Sequence, residues 1–580
     1  MKRLTIILVL FSMMLLPTSA AGEKTVTLHI LETTDVHGCF FPWDFINKRP
    51  MQGSLARTST YINQLRQQNP DGVILLENGD ILQGQPINYY YNFLATDREN
   101  IASRCINYLH YDAQNWGNHD VEPGHAIYDK WSAELSCPVL GANIINTATG
   151  KPYLKPYTIV ERQGIRVAVI GMLTPAIPMW LTEDIWQGLQ FREMVSCARE
   201  WVSYVQQHEH PDVIVGLFHS GREGGIVTPD FEEDASMHVA EQVPGFDIIM
   251  FGHDHQLWNK TITNSAQQPV VTINPRNNAQ YVADATVTLT LKRGKVTSKT
   301  ITAENVDVRS LPIDEAYMQH FAADIDSVKA WADSPIGTMA RTITTRDSFF
   351  GSSAFTDLIH NLQLRLTGAD ISFTAPLTFN ATIQAGPITV SDMFNLYKFE
   401  NKLCVMELTG EEIQRYLELS YALWTNTMTT PDDHIMLLNI ASTDDNQRSG
   451  FKNMTFNFDS AAGIIYTVDV TKPIGQKVII TSMADGQPFL PAKRYRVAVN
   501  SYRANGGGEL LTQGAGIPKD QLESRIISRT PLDLRHYLME EIKRQGTIDA
   551  QPNNNWRFTP DDWAVPALQR DRRIIYPNEQ

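Results

Sequence analysis

Cysteine, long apolar runs and positive charge are all in short supply along these 580 residues. The five cysteines, Cys39, Cys105, Cys137, Cys197 and Cys404, are odd in number and match no zinc-finger spacing. That excludes a cysteine-built metal module and a disulfide scaffold. One bridge, with Cys105 and Cys137 the nearest pair, and buried free thiols are equally compatible with the count. Lys and Arg number 49 against 64 Asp and Glu, a net charge of −15. Such a surface argues against nucleic acid or an anionic membrane as partner. An anionic substrate would have to be met locally, by metal ions. Past the first residues no apolar run reaches transmembrane length. Gly506-Gly507-Gly508 is not a Walker loop, since no Lys-Ser/Thr follows it. There is no internal repeat and no low-complexity segment.

The length points to two domains. At the N-terminus Lys2 and Arg3 precede an apolar stretch from Leu4 to Leu16, then Pro17-Thr18-Ser19-Ala20-Ala21. Basic, apolar and small residues in that order predict an export signal over 1–21, cleaved after Ala20 or Ala21. The mature protein is expected to be periplasmic, cell-surface or secreted. From Thr25 to about Val306, β-rich runs alternate with helical spacing, as at Val26–Leu31, Ser54–Gln67, Val73–Leu76, Val167–Ile170, Val213–Leu217 and Ile248–Phe251. This alternation predicts an α/β layered domain with much parallel pairing. Val282–Leu291 and Lys295–Glu304 read as closing strands. Asp314–Ala332 reads as one helix connecting the domains. A second domain then runs from about Ile336 to Phe558, with helices Ser353–Thr367 and Gly410–Leu423 and strands in its later part, Ile464–Val470, Lys477–Thr481 and Arg494–Asn500.

Five short motifs sit at or just past the ends of apolar runs in the first half. They are Asp35-Val-His37, Gly79-Asp80, Gly117-Asn118-His119-Asp120, Phe218-His219 and Gly252-His253-Asp254-His255. Strand ends are where open α/β sheets place their sites. Asp80 can bridge two ions through its two carboxylate oxygens, Asn118 adds a neutral oxygen, and the imidazoles suit zinc, iron, manganese or cobalt. Two such ions clamp a phosphate for in-line attack. Each motif alone is weak; the order, placement and ligand type together are specific.

The series resembles that of the calcineurin-like metallophosphoesterases, and within them an exported nucleotidase branch. The resemblance implies an N-terminal four-layer α/β metallophosphoesterase β-sandwich with helices outside. It implies one metal held by Asp35, His37, Asp80 and His255, and another by Asp80, Asn118, His219 and His253. His119 would assist at the phosphoryl oxygen or leaving group, oriented by an acid. In many relatives that acid is an Asp three residues on. Here Glu122 holds that position and Asp120 is adjacent, so both are candidates.

The second half is similar to the 5′-nucleotidase C-terminal domain over Pro387–Asn401 and Val405–Leu417, which implies an α+β fold there. It is closer still to the family of 2′,3′-cyclic-nucleotide 2′-phosphodiesterase/3′-nucleotidases. That likeness rests on Phe456-Asn457-Phe458-Asp459, Tyr466–Pro473, Asn500–Gly508 and Asn553–Phe558. In that family two aromatic rings sandwich the base, which matches Phe456 and Tyr502. Flat faces stack on any base. Phe458 alternates with Phe456, so in a strand one of the two faces inward. After His255 the usual Gly-rich stretch is replaced by Ile273–Ala279, where Arg276 reads equally as a phosphate contact or a solvated loop residue. Arg57 matches a family position near the metal domain, with no role assigned by the sequence.

The expected organisation is thus a signal at 1–21, a phosphoesterase domain at 24–306, a connector at 307–335, a substrate-binding domain at 336–560 and a tail at 561–580. The expected activity opens 2′,3′-cyclic nucleotides to 3′-nucleotides and dephosphorylates these, with two divalent ions as cofactors. A small-molecule nucleotide is the expected partner, with no nucleic acid, membrane or obligate protein partner. The alternatives are a 5′-nucleotidase or nucleotide-sugar hydrolase on the same scaffold, and a non-catalytic nucleotide-binding protein.

Overall fold

The computed structural model describes residues 23–439, 450–577 and 579; the export signal expected over 1–21 lies outside them. Two six-stranded sheets form the centre of the first domain. In the first, Lys24–Thr33 pairs in parallel with Val73–Glu77, which continues in parallel through Ala113–Asn115 to Val139–Leu140. The antiparallel strands Tyr281–Lys292 and Lys295–Asp307 close its other edge. In the second, Ile165–Leu173, Val213–His219, Ile248–Phe251 and Pro269–Pro275 run parallel, flanked by antiparallel Tyr157–Arg162 and Leu257–Thr263.

The sheets share one apolar interior. Val26, Leu28, Ile30, Ile74 and Leu76 of one meet Val167, Val169, Val215, Leu217 and Met250 of the other. Each such buried side chain contributes roughly 1.5–3 kcal/mol. Separate apolar layers cover the outer faces, one with helices Leu55–Gln68 and Ile101–Leu109, the other with Met194–His208 and Ser236–Gln242. Helix, sheet, sheet, helix is the four-layer arrangement. Because the central strands are buried on both faces they read as apolar runs, and their C-terminal ends converge on one rim.

The helix expected over Asp314–Ala332 is two, Glu315–His320 and Ala322–Ala332, broken at Phe321. Asp314 caps the first, accepting from the Ala316 and Tyr317 amides at 2.9 and 3.1 Å. Tyr317, Phe321, Ile325 and Val328 are all buried in the first domain's core, so this segment is part of that domain's outer layer.

The second domain is built on a five-stranded sheet in the order Ser460–Ala462, Ile371–Thr374, Arg494–Asn500, Lys402–Thr409, Ile526–Asp533. Helices Ala354–Thr367, Gly410–Trp424 and Leu534–Gln545 pack around it. Residues 561–580, expected as a tail, include the helix Asp561–Ile575, whose Ala564, Ala567 and Ile575 are buried in the core. All five cysteines are free and buried. The Cys105–Cys137 bridge is not formed; Cys105 instead packs in the helical layer of the first domain.

Contacts join the domains at both ends of their shared face. Tyr89 donates to Asp533 at 3.1 Å and Ser391 to the Phe45 carbonyl at 2.9 Å. On the other side Lys402 pairs with Asp184 at 3.0 Å, and Asn505 donates to the Trp180 carbonyl at 3.3 Å.

Candidate active site

The strand ends of both sheets meet where the two loops after Val73–Glu77 and Ala113–Asn115 touch backbone to backbone. A Cβ on Gly79 would lie 2.3 Å from the Gly117 nitrogen, so only glycine permits this approach. Asp35, His37, Asp80, His253 and His255 all sit at positive φ, between 49° and 76°. Non-glycine residues enter this region at a cost of about 1 kcal/mol or more each, and strain of this kind gathers where a site over-determines its backbone.

The side chains converge accordingly. One ligand atom each from Asp35, His37, Asp80 and His255 lies within 4.8 Å of the others, and so does one each from Asp80, His219 and His253. His37 Nε2 and His255 Nε2 face each other at 3.1 Å, and His255 Nε2 lies 3.1 Å from Asp35 Oδ1. His219 Nε2 is 3.2 Å from both Asp80 Oδ2 and Asn118 Oδ1. Asp80 belongs to both clusters, the position of a bridging carboxylate.

The surroundings orient each ring so that one nitrogen faces inward. His219 Nδ1 donates to the Asn78 carbonyl at 2.6 Å, and His37 Nδ1 to the Gln83 carbonyl at 3.2 Å. Asn277 Nδ2 lies 3.2 Å from His255 Nδ1 and holds that ring from outside. Burial, then the His255 charge, pushes His37 down to about 3, which keeps it the neutral imidazole a metal requires. Burial opposes ionisation of Asp35, but the His219 and His255 charges outweigh it and hold Asp35 at about 2. Asp35 Oδ1 is buried and makes no well-aligned hydrogen bond, with His255 Nε2 3.1 Å away. A buried carboxylate oxygen amid inward-facing imidazole nitrogens is the donor set of a divalent cation site.

Beneath the rim, Glu32 and Glu77 are fully buried, and burial pushes both well up. Glu32 accepts from Asn78 Nδ2 at 2.7 Å, which steadies the same residue whose carbonyl holds His219.

His119 and its two candidate partners separate clearly. His119 Nδ1 lies 2.6 Å from Glu122 Oε2, a bond that orients the ring and directs Nε2 outward. Asp120 does not touch it. Its carboxylate is fully buried and accepts from the backbone nitrogens of Gly117, Asp80, Ile81 and Leu82 at 2.8–2.9 Å. Of the two candidate acids, Asp120 plays a different part, tying the Asp80 loop to the Asn118 turn. Burial disfavours the His119 imidazolium, but Asp80, then Glu122 and Glu400, outweigh it and push the group up to about 9. Bound cations would oppose that rise.

Four neighbours carried no signal in the sequence pattern. Glu233 and Asp234, on a hairpin after His219, lie 3.0 and 3.8 Å from His253 Nε2. The Trp180 ring sits 5.6 Å from that of His253. Phe399 of the second domain lies parallel to His119 at 6.3 Å between ring centroids. All four reach the site from segments far away in the chain. Arg57 donates to the Leu311 carbonyl. Arg276 is half-buried at φ +70°, with its amide on Asn274 Oδ1 at 2.8 Å.

In the second domain Phe456 and Tyr502 do meet. Phe456 lies on a single 3-10 turn, Thr455–Asn457, rather than in a strand. It is half-buried while Phe458 packs fully into the core. The two rings are 6.3 Å apart but inclined at 81°, edge to face rather than parallel. Burial raises Tyr502, and Arg503 opposes.

The calcineurin-like phosphoesterase family matches residues 28–257, and the C-terminal domain of 5′-nucleotidases matches residues 332–513. The chain is a phosphoesterase of the 5′-nucleotidase family. It is 26% identical to the 2′,3′-cyclic-nucleotide 2′-phosphodiesterase/3′-nucleotidase of Yersinia enterocolitica, over 96% of this chain and 92% of that protein. It is 25% identical to the protein of the same name from Haemophilus influenzae, over 93% and 89%. A crystal structure of a Staphylococcus aureus chain assigned as a 5′-nucleotidase, solved with α-ketoglutarate, shares the fold at a TM-score of 0.75, covering 92% of this chain and all of that one, at 23% identity. Calcineurin-like phosphoesterases use divalent metals, and the Asp/His clusters of this member fit them. No helix among the described residues is long and apolar enough to cross a membrane.

Proposed function

We propose that this phosphohydrolase opens 2′,3′-cyclic nucleotides to 3′-nucleotides and then releases phosphate from these. The observation that carries the reading is that the Asp80-centred clusters and the Glu122-held His119 share one set of strand ends, while the loop after Tyr502 bonds through Asn505 to Trp180, whose ring lies 5.6 Å from that of His253. The names of the Yersinia and Haemophilus relatives, matched over most of their length, support the position of the ester. Asp35, His37, Asp80 and His255 would hold one divalent ion, and Asp80, Asn118, His219 and His253 the other. When bound, such a pair supplies Lewis acidity to the phosphate and to the attacking water. In the diester step, water oxygen bonds to phosphorus, the P–O2′ bond breaks, and the 2′ oxygen takes a proton. His119, turned by Glu122, is the side chain placed to give that proton. Phe456 and Tyr502 would hold the base by stacking, which tolerates any base. Zinc, manganese, cobalt and iron all suit the mixed donors.

Within this reading 24–306 is the phosphoesterase domain with 307–335 packed onto it, 336–560 is the substrate-binding domain with the helix Asp561–Ile575 packed into it, and residues 1–21 direct export to the periplasm or cell surface. Purified protein loaded in turn with Mn²⁺, Co²⁺ or Zn²⁺ should release phosphate from 2′,3′-cAMP and 3′-AMP faster than from 5′-AMP or UDP-glucose. Preference for either of the last two would replace the substrate assignment with the 5′-nucleotidase or nucleotide-sugar reading.

A further inference from the structure

Arg503 and Asp459 form a buried pair beneath the two aromatic rings, with side chains 4% and 2% exposed. Arg503 spends every N–H it has. Nε and Nη2 donate to the Asp459 carboxylate at 3.0 and 2.9 Å. Nη2 also donates to the Phe456 carbonyl at 2.6 Å. Nη1 donates to Asn457 Oδ1 at 2.9 Å and to the Gly507 carbonyl at 2.8 Å. One guanidinium therefore ties the turn that carries Phe456 to the loop that follows Tyr502. Asp459 is itself held by the Tyr416 hydroxyl.

The loop closes on this group so tightly that side chains are excluded. A Cβ on Gly508 would lie 2.4 Å from Arg503 Nη1 and 2.2 Å from Asn457 Oδ1, at φ +69°. A Cβ on Gly507 would lie 2.4 Å from the Tyr502 ring. The Arg503 guanidinium also sits 5.2 Å from the centre of that ring. Tyr502 is thus backed on its inner side by Arg503 and Gly507. Phe456 is held only through its backbone, leaving its side chain free to turn about χ1 and χ2.

We propose that Arg503 is a positioning residue for substrate, which fixes Tyr502 as a rigid platform and lets Phe456 rotate from its edge-on resting pose to close on the base. The guanidinium makes no contact with substrate; it acts through the backbone of both ring-bearing segments. Lysine cannot replace it, because an ammonium lacks the planar fork that reaches the carboxylate and both carbonyls at once. This inference rests on the nucleotide reading given above.

The test compares Arg503→Lys and Gly508→Ala with the unaltered metal-loaded enzyme on 3′-AMP and on bis(p-nitrophenyl) phosphate, which has no base. Adenosine binding is measured separately by calorimetry. Both variants should raise KM for 3′-AMP by about ten-fold and weaken adenosine to match, with kcat/KM on the base-free ester within about two-fold of the parent. Equal losses on both esters would mean general damage and overturn the proposal, as would an unchanged KM for 3′-AMP in both variants. A parent enzyme that cleaves the base-free ester but neither binds adenosine nor cleaves 3′-AMP would overturn the nucleotide reading itself, and the proposal with it.

Discussion

The metal rim of the first domain and the ring pair of the second solve opposite problems. At the rim, charged and imidazole groups are crowded into a buried space, five of them on strained backbone, and they are held by carbonyls, an asparagine and buried acids. Every partner there turns a nitrogen or oxygen toward one point. At the ring pair the contacts are apolar, half-exposed and inclined, and a single buried ion pair fixes the backbone under them. The rim is preorganised for chemistry. The rings keep one side-chain freedom, which suits a binding face that must accept different bases.

That contrast can be broken at several points. The largest effect should come from Asp80→Ala, which removes the carboxylate shared by both clusters. A loss of about 4 kcal/mol of transition-state stabilisation, roughly a thousand-fold in kcat/KM, is expected on nucleotides and base-free esters alike. EDTA treatment should do the same, with recovery on adding Mn²⁺, Co²⁺ or Zn²⁺. Residual activity that ignored the chelator would sink the metal assignment.

His119→Ala should cost about 10²–10⁴-fold on 3′-AMP, the usual span for a proton donor. On p-nitrophenyl esters, whose leaving group needs no proton, the cost should be far smaller. Glu122→Gln should follow the same leaving-group pattern with a smaller loss, and Asp120→Asn should lower metal content instead, measured by elemental analysis. If Asp120→Asn shows the steep leaving-group dependence and Glu122→Gln does not, the two carboxylates have been assigned the wrong way round.

Tyr502→Leu should raise KM for 3′-AMP by an amount worth about 1–3 kcal/mol, the value of one base stack, and leave base-free esters untouched. Phe456→Leu should do less, because a side chain that must turn to meet the base gains less from being there. Equal or reversed effects, read from steady-state kinetics, would contradict the platform and lid.

The smallest effect lies outside both regions and calibrates them. His29 is raised above its ordinary value of 6.5 by its bond to Asp284, at 2.9 Å, with burial opposing. A raised histidine stabilises the fold fully below the unfolded value, and that contribution is lost as pH climbs through the folded one. The difference in urea midpoint between the parent and His29→Asn should therefore be present at pH 5.5 and shrink by pH 9, by about 1 kcal/mol for this partly buried pair. A difference that grew with pH would refute the pairing.

Much of the first domain was legible because its signals are local. Apolar runs marked the parallel strands, and Lys24–Thr33, Val73–Glu77 and Val213–His219 end within a few residues of the motifs they carry. The closing strands were legible for the same reason, as was the helix Ala354–Thr367 with Ser353 as its cap. The break at Phe321 was not, since helical spacing continues through it and only packing shows it. Strand alternation left open which of Phe456 and Phe458 faces the core. Phe458 does, between Trp424 and Phe451, and Phe456 sits half-buried on a 3-10 turn.

The sequence by itself determined the chemistry on offer: seven ligand-type residues and a spare histidine, in order, at strand ends. Ligand type and strand-end position are properties of a few neighbouring residues, so they survive without coordinates. Only the tertiary structure decided that Glu122 rather than Asp120 holds His119, that Asn277 steadies His255, and that Arg503 joins Phe456 to Tyr502. Those outcomes depend on which side chain fits across a gap between distant segments, and Arg503 reaches the Phe456 carbonyl over 47 residues of chain. Such a fit is set by packing, which residue spacing does not encode.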